Sequence, residues 1–483
     1  MNYRMIGRIS AKILSVEAVF MIPALLICLA CREFTAAMAF AKAMLCIAAV
    51  SAVFYFVGRK SERGFYAREG LICVGLIWII MSLLGCLPFY FSGEIPRFID
   101  AFFEIVSGFT TTGASILPQV ENLSHGILYW RSFSHWIGGM GVLVFLLAIS
   151  GRGDQGGYTL HLLRAESPGP DVGKMLPRMK QTAMTLYVIY IVLTILNVIF
   201  LLVGGMPLFD SVCTAFGTAG TGGFGIKNDS IAGYSPYLQN VCTVFMLLFG
   251  VNFNCYYLLM IGNLRSVLKD EELRFYIGVV FGSVALIAWN IRHLYATAEE
   301  TLRHAAFQVA TIITTTGYAT TDFDLWPSFS KAILLLLMAI GACAGSTGGG
   351  IKCARVLLLL KSLRRNIHKV LDPRKVQVVR NNDRPVSETV LENTNAYLAA
   401  YMCILGLSFL LVSVDGFSTT TNFTAVLSCF NNIGPGLEAV GPTCNYSAFS
   451  VFSKLVLIMD MLAGRLEIFP ILVLFSRSTW RKK

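Results

Sequence analysis

A unit that occurs four times along this 483-residue chain most constrains its fold. Each copy has a long apolar segment, a short apolar segment, a turn rich in glycine with threonine or asparagine, and a second long apolar segment. The first long segments are 71–91, 181–203, 275–295 and 393–413, and the second are 127–150, 236–262, 329–360 and 448–475. Because each copy of an internal repeat is one structural unit that packs against the others, the sequence predicts four similar units about a common axis.

The long apolar segments predict an integral membrane protein. A segment of about 20 apolar residues can cross a bilayer as a helix. Charged residues make up 14 % of the chain and its mean hydropathy is +0.66, whereas a soluble domain carries about 25 % charged residues. Two further apolar segments precede the first repeat. The predicted fold is therefore an all-α polytopic membrane protein, with four helix–pore-loop–helix repeats of fourfold pseudosymmetry and an N-terminal two-helix hairpin.

The repeats divide the chain into five parts with a predicted orientation. We place the hairpin at 1–60, repeat 1 with its filter loop at 61–160, repeat 2 at 161–268, repeat 3 with a gating loop at 269–365, and repeat 4 at 366–483. Two spans in the hairpin and two in each repeat give ten. Lysine and arginine cluster in alternate loops and at both ends, so the positive-inside rule puts both termini in the cytoplasm. The net charge of +11 reflects these loops and does not indicate a nucleic-acid partner.

The short apolar segments and their turns predict an ion filter. A segment of about 12 residues is too short to span and is typical of a re-entrant helix. Non-helical backbone at membrane depth is tolerated where it lines a water-filled cavity, and consecutive carbonyls can replace the hydration shell of an ion. Packing between helices also uses glycine and threonine, but it does not explain the fourfold recurrence. The predicted ion-ligating residues are Thr110, Thr111, Thr112, Gly113, Gly220, Thr221, Gly222, Gly223, Thr314, Thr315, Thr316, Gly317, Asn431, Asn432, Ile433 and Gly434.

These turns resemble the filter loops of TrkH-type potassium transporters of the Trk/Ktr/HKT superfamily. The turns read TTTG, TGGF, TTTGY and NNIGPG, and similar stretches are WIGGMG at 136–141, AGSTGGGIK at 344–352 and GRLEIF at 464–469. The resemblance implies potassium as the transported ion, a bacterial inner-membrane location, a homodimer, and a cytosolic ring of nucleotide-binding regulatory subunits, with no nucleotide bound by this chain itself. In repeat 2, the count from Asp210 favours Gly223 as the filter glycine and the Thr-Gly step favours Gly222, which we prefer.

A glycine-rich stretch should break the second long segment of repeat 3, since glycine costs a helix about 1 kcal/mol relative to alanine. It is not a phosphate-binding P-loop, because Ile351 separates Gly350 from Lys352. By resemblance this stretch is a gate below the filter and Arg465 is a cation facing the pore. A local ion pair of Arg465 with Glu467 or Asp460 is the alternative. The predicted gate residues are Gly345, Ser346, Thr347, Gly348, Gly349, Gly350, Lys352 and Arg465.

Other residues leave alternatives open. Asp460 and Glu467 are the main intramembrane carboxylates, and a symporter that couples potassium to H⁺ or Na⁺ would use such groups. The basic loop 361–392 is the predicted docking site of the cytosolic partner. We interpret the CxxC at Cys28 and Cys31 as helix packing, and no catalytic cluster indicates an enzyme. Acidic residues on the outer side either attract cations or have structural roles such as capping pore helices: Asp100, Glu104, Asp210, Asp322, Asp324 and Glu438.

Overall fold

The protein is described by a computed structural model that covers residues 3–59, 67–141, 179–374 and 377–480. The predicted boundaries at 60/61 and 160/161 lie outside these ranges, as does the 142–150 part of the predicted helix 127–150. The helices are Tyr3–Phe20, Ile22–Ala30, Phe34–Gly58, Ala67–Gly85, Leu87–Ser92, Phe98–Phe109, His125–Gly139, Met179–Val203, Leu208–Gly220, Pro236–Phe249, Phe253–Met260, Leu264–Lys269, Glu271–Ile291, Ala298–Ile313, Ser328–Ile340, Cys353–Leu371, Glu388–Val412, Thr419–Asn431, Val451–Arg465, Phe469–Phe475 and Arg477–Trp480.

Six stretches in the described ranges are long and apolar enough to cross a membrane. They are Tyr3–Ala30, Phe34–Gly58, Arg68–Ser92, Ala183–Val203, Glu271–Ile291 and Glu388–Asp415. They correspond to the two hairpin helices and to the first long helix of each repeat. The predicted all-α polytopic fold is confirmed, with a two-residue antiparallel pairing of Arg380–Asn381 with Arg384–Pro385 as a small addition.

The N-terminal helices form a tight hairpin. Gly58 lies so close to the start of the chain that an added Cβ would come within 2.7 Å of the Arg8 backbone nitrogen. Ser51 donates a hydrogen bond to the Ala11 carbonyl at 2.8 Å. The hairpin also packs on repeat 1, where the rings of Phe20 and Phe133 meet edge to face, with centroids 5.5 Å apart.

The second long segments of repeats 2, 3 and 4 are broken helices, and the prediction of continuous helices in repeats 2 and 4 was wrong. We expected a break in repeat 3 alone. The segment of repeat 2 divides into Pro236–Phe249 and Phe253–Met260, which are bent by 87°. The segment of repeat 4 is interrupted at Glu467 and Ile468, whose φ angles are 53° and 70°. In the part of the chain that the structure describes, the second long segments of repeats 2 to 4 are therefore not continuous spans, in contrast to the predicted count of ten.

The break in repeat 2 has a physical reason that its sequence does not show. The freed Gly250 carbonyl accepts the Cys343 N–H at 3.1 Å, and the Phe253 N–H donates to the Gly345 carbonyl at 3.1 Å. Both partners belong to the interrupted region of repeat 3. Backbone groups released by a broken helix need other partners at membrane depth, and here two broken helices supply them to each other.

Candidate ion filter and gate

Four short helices, which we call pore helices 1–4, end in the same turn. They are Phe98–Phe109, Leu208–Gly220, Ala298–Ile313 and Thr419–Asn431. The second residue of each predicted filter turn is left-handed: Thr111 (φ 57°), Thr221 (53°), Thr315 (57°) and Asn432 (57°). A left-handed β-branched residue is a true outlier that costs about 1–3 kcal/mol and clusters at functional sites.

One hydrogen bond closes each of these turns. The N–H of the third filter residue donates to the carbonyl five residues earlier, which is the long-range bond of a Schellman cap. The four bonds are Thr112 to Ser107 (2.8 Å), Gly222 to Gly217 (2.9 Å), Thr316 to Thr311 (2.8 Å) and Ile433 to Ser428 (3.0 Å). The four loops therefore share one backbone geometry despite their different side chains.

The fourth filter residue is a glycine with positive φ in each loop, and each glycine lies against the next repeat. An added Cβ would overlap a third-position carbonyl oxygen, or come within 2.8 Å of it in the case of Gly434. The pairs are Gly113 with Gly222, Gly223 with Thr316, Gly317 with Ile433, and Gly434 with Thr112. This cyclic order closes a ring around one axis.

The ring corrects the register that we preferred in repeat 2. Gly223 has a φ of 76° and faces the Thr316 carbonyl, as Gly113 faces that of Gly222. Gly222 holds the third position, where its own carbonyl meets Gly113. Gly223 is therefore the counterpart of Gly113. The Thr-Gly step misled us because the third filter position is a threonine in repeat 1 but a glycine, Gly222, in repeat 2.

The third-position carbonyls are free to ligate an ion. Within the described ranges, none of the four oxygens accepts a hydrogen bond: those of Thr112, Gly222, Thr316 and Ile433. Filter side chains, in contrast, bond to the protein: Thr110 Oγ1 and Thr112 Oγ1 are 2.8 Å apart, and Asn432 donates to Thr112 Oγ1 at 3.0 Å. The loops thus hold their side chains in the protein and leave carbonyl oxygens available.

A polar cavity of about 160 Å³ lies on one side of the ring, and we call this side the filter mouth. All four fourth-position glycines line it. None of the six predicted outer acidic residues does. Each has a polar partner instead: Lys454 for Asp100, Arg131 for Glu104, Tyr234 for Asp210, Asp324 N–H for Asp322, Lys331 for Asp324, and Thr421 for Glu438.

These acids therefore hold protein groups in the structure, and none of them lines the cavity at the filter mouth. Asp210 is not a cap, since it lies in the first turn of pore helix 2, where Pro207 precedes the helix without a side-chain bond.

Two residues that the sequence analysis missed brace the loop of repeat 2. His135 Nδ1 lies 2.9 Å from the Gly108 carbonyl, and its Nε2 accepts the Phe224 N–H at 3.3 Å. Arg131 donates to Glu104 at 2.6 Å and to the Gly225 carbonyl at 3.0 Å. Its guanidinium carbon lies 3.9 Å from the centre of the Phe224 ring. A charged residue within an apolar segment indicates a functional role, so the position of Arg131 in the sequence could have identified it.

Replacing Arg131 with methionine is expected to lower the free energy of unfolding by about 3–5 kcal/mol, because Glu104 would become a buried charge without its partner. Both side chains are at most 3 % exposed. Thermal unfolding in detergent measures the loss, and adding Glu104→Leu should recover part of it. Arg365→Met, which breaks the exposed pair with Glu388, is the control and should cost less than about 1 kcal/mol. Equal losses in both variants would contradict the role of burial.

The interrupted region of repeat 3, residues 341–352, lies against the first two filter positions of repeat 3 and the first filter position of repeat 4. We call it the gate loop. The Gly349 N–H donates to Thr315 Oγ1 at 2.6 Å, and the Gly350 N–H donates to the Asn431 carbonyl at 3.1 Å. A Cβ at Gly348 would lie 2.9 Å from the Thr314 carbonyl oxygen. The loop is thus in direct contact with the end of the filter opposite its mouth.

Arg465 connects the gate loop to repeat 1. It donates to the Thr347 carbonyl at 2.9 Å and to Thr111 Oγ1 at 3.2 Å. It also donates to the Gly138 carbonyl and, at 2.7 Å, to that of Gly139. Glu467 and Asp460, the two acids considered as local ion-pair partners of Arg465, bind other side chains.

Glu467 forms an ion pair with Arg355, and Asp460 accepts from Ser408 at 2.6 Å. Lys352, at the end of the gate loop, donates to the Gly348 carbonyl.

Glu272 binds the gate loop and the first turn of the helix that follows it, and was not predicted. Its carboxylate accepts the Ala344 N–H at 2.5 Å and the Ala354 N–H at 3.1 Å. It lies at the start of the helix Glu271–Ile291, among charged residues that resemble an ordinary helix cap. No sequence signal distinguished it from its neighbours Asp270 and Glu271.

The chain is similar to known proteins over its full length. The family model described as TrkH, a cation transport protein, matches residues 36–482. The Trk system potassium uptake protein TrkH of Salmonella typhimurium is 36 % identical over 491 residues, with 100 % of both chains covered. TrkG of Escherichia coli K12 is 32 % identical over 432 residues, with 88 % of each covered. The crystal structure of the potassium transporter TrkH from Vibrio parahaemolyticus matches with a TM-score of 0.90 and 31 % identity, covering 100 % of both chains.

Proposed function

The chain belongs to the TrkH family of cation transport proteins, and from that premise we propose that it takes up potassium across the bacterial cytoplasmic membrane. The observation that carries the proposal is the closed ring of filter glycines and free third-position carbonyls. Four carbonyl oxygens about one axis replace the hydration shell of a dehydrated alkali cation. The membrane potential supplies about 2.3 kcal/mol per charge for each 100 mV, which is sufficient to drive accumulation without a coupled ion.

The gate loop and Arg465 control this pathway in our proposal. The loop lies at the end of the filter opposite its mouth, where an ion leaving the ring would pass. Arg465 places a positive charge at the same end, between the loop and repeat 1. Conduction therefore needs the loop to move away from Thr315 and Asn431. The hydrogen bonds that hold it are few and individually worth about 1 kcal/mol, so a partner can shift this equilibrium.

The proposed partners rest on the family resemblance and on the exposed surface of the chain. A cytosolic ring of nucleotide-binding subunits would dock on the basic segment 361–392, which was predicted as a loop but begins within the helix Cys353–Leu371, with both termini on the same side and the transporter a homodimer. In its support, Val370 and Leu371 expose 82 % and 75 % of their surface at the end of a long helix. Apolar side chains that protrude beside basic ones are typical of an interaction surface.

Rb⁺ uptake into proteoliposomes tests the proposed transport. The purified protein is reconstituted, a membrane potential is imposed, and excess Na⁺ is added outside. Uptake that persists in Na⁺ supports a potassium filter. Uptake that Na⁺ abolishes, in protein that remains folded by its thermal unfolding profile, would overturn the proposed selectivity.

A potassium symporter is the second candidate, and one observation favours it. Asp460 lies within the helix Val451–Arg465, is 3 % exposed, and has one carboxylate oxygen without a hydrogen-bond partner in the ranges described. Its other oxygen accepts from Ser408. A buried carboxylate with a free oxygen can accept a proton, and carboxylates within spans are typical of proton relays.

Asp460→Asn distinguishes these two functions. Since Asp460 makes no contact with the filter or the gate loop in the bonds described above, we expect Rb⁺ uptake to follow the membrane potential alone and to change less than twofold in the variant. Uptake is measured at fixed potential with and without an imposed pH gradient. Asp372→Asn, at an exposed position, is the matched control. A response to the pH gradient that Asp460→Asn loses and Asp372→Asn keeps would establish proton coupling.

A further inference from the structure

Three side chains capable of binding a metal meet where the N-terminal hairpin contacts repeat 1. Cys31 and Glu33 lie in the turn of the hairpin, and His125 begins the helix His125–Gly139. The Cys31 sulfur, a Glu33 oxygen and a His125 ring nitrogen all lie within 4.8 Å of one another. They come from segments about 90 residues apart in the sequence, so the fold and not local spacing brings them together.

The surrounding contacts hold this cluster in place. Glu33 accepts the His125 backbone N–H at 3.0 Å and the Gly126 N–H at 3.5 Å, in addition to His125 Nδ1 at 2.7 Å. The left-handed Arg32, with φ of 61°, turns the chain between the two hairpin ligands. Orientation of the ligands by neighbouring hydrogen bonds is typical of metal sites.

The two cysteines of the CxxC have different environments. Cys28 is buried against Gly126, where an added Cβ would overlap its sulfur. Cys31, three residues later, is exposed. The buried thiol therefore fixes the end of the hairpin helix to repeat 1, and the exposed thiol is directed to His125. Our interpretation of the pair as packing accounts for Cys28 but not for Cys31.

We propose that Cys31, Glu33 and His125 bind Zn²⁺ or another thiophilic divalent cation. Thiolate, imidazole and carboxylate are the ligands of zinc, and three protein ligands with an open fourth position make a common arrangement. Ca²⁺ and Mg²⁺ prefer oxygen ligands alone. Ligand atoms around tetrahedral zinc lie about 3.5 Å apart, and the exposed side chains of Cys31 and His125 can close the remaining distance by rotation.

The site is close in sequence to the filter mouth, because Val120, shortly before His125, lines that cavity. Ser124, next to His125, donates to Glu94 at 2.8 Å, just before pore helix 1 begins. The helix that His125 starts also carries Arg131 and His135, which brace the filter loop of repeat 2. A metal bound here joins the hairpin to that helix, so binding raises the unfolding temperature of the protein.

Cd²⁺ and Co²⁺ titrations of the purified full chain test the proposal, because a metal–thiolate bond gives an ultraviolet charge-transfer band that oxygen ligands do not. We expect one equivalent of metal per chain, the thiolate band, and a higher unfolding temperature with Zn²⁺ but not with Ca²⁺. Cys31→Ser should remove the band, and His125→Gln should weaken binding at least tenfold.

Cys46→Ser is the matched control, since Cys46 is another exposed cysteine, on the second hairpin helix. It should keep the band and the affinity. Absence of the band in the wild type, or a band that survives Cys31→Ser, would overturn the site. A loss that is equal in Cys31→Ser and Cys46→Ser would do the same.

Discussion

Gly113→Ser is expected to lower the preference for Rb⁺ over Na⁺ at least tenfold. Gly113 has a φ of 79°, and any side chain there would overlap the Gly222 carbonyl. The loops must separate to relieve the overlap, and a third-position oxygen then moves away from the axis. A difference of about 1.4 kcal/mol between two ions is a factor of ten, and the backbone strain of a non-glycine residue in this conformation costs about 1–3 kcal/mol.

The measurement is Rb⁺ uptake into proteoliposomes over a range of external Na⁺ concentrations. Gly93→Ser is the matched control, because Gly93 has a φ of 77° but an added Cβ meets nothing within 4 Å. That variant carries the same backbone strain away from the filter, so its ion preference should equal that of the wild type. An unchanged preference in folded Gly113→Ser would show that the ring does not select the ion.

Arg465→Ala is expected to raise the Rb⁺ flux about tenfold or more. A unit charge roughly 7 Å from a permeating cation costs it about 2 kcal/mol at an effective dielectric constant near 20. The variant also removes the hydrogen bond that holds the gate loop at Thr347. Both effects lower the barrier at the same end of the filter, so they act in the same direction.

Arg465→Lys separates the charge from the hydrogen bonds. Lysine keeps the charge but cannot present the planar fork that reaches several acceptors at once. A flux in Arg465→Lys that equals the wild type would assign the barrier to charge, and a flux that equals Arg465→Ala would assign it to the tethered loop. Arg292→Ala, at an exposed position, should leave the flux unchanged. If Arg465→Ala is folded and has wild-type flux, the residue has no role in the barrier.

The sequence was most informative where the periodic pattern and the local chemistry agree. Apolar length located the first long helix of each repeat to within about five residues at each end, and repetition located the four filter turns. It was misleading about continuity, since the break near Gly250 depends on backbone partners in repeat 3. A helix that breaks because a distant loop accepts its backbone groups has no local signal at the position of the break.

The residues of the four filter turns could be predicted from the sequence, but the side chains that hold those turns and the gate loop in place could not. The turns contain glycine where a positive φ is needed, so their residues can be identified from the sequence alone. Arg131 and His135 act across repeats, on the filter loop of repeat 2, and Glu272 acts within repeat 3 on a backbone N–H 72 residues away in the sequence. The choice between Gly222 and Gly223 needed the ring itself, because only the neighbouring carbonyl distinguishes the two.

The cyclic order of the loops also bears on how the protein is made. Repeat 4 completes the ring by contacting repeat 1, through Gly434 against Thr112 and through the ion pair of Lys454 with Asp100 at 2.7 Å. The first and last repeats are thus neighbours, and translation delivers them at opposite ends of synthesis. A nascent chain with three repeats inserted has an open ring and no complete set of ligands. In the proposed transport, a complete filter therefore forms only after the last repeat has been synthesised and inserted.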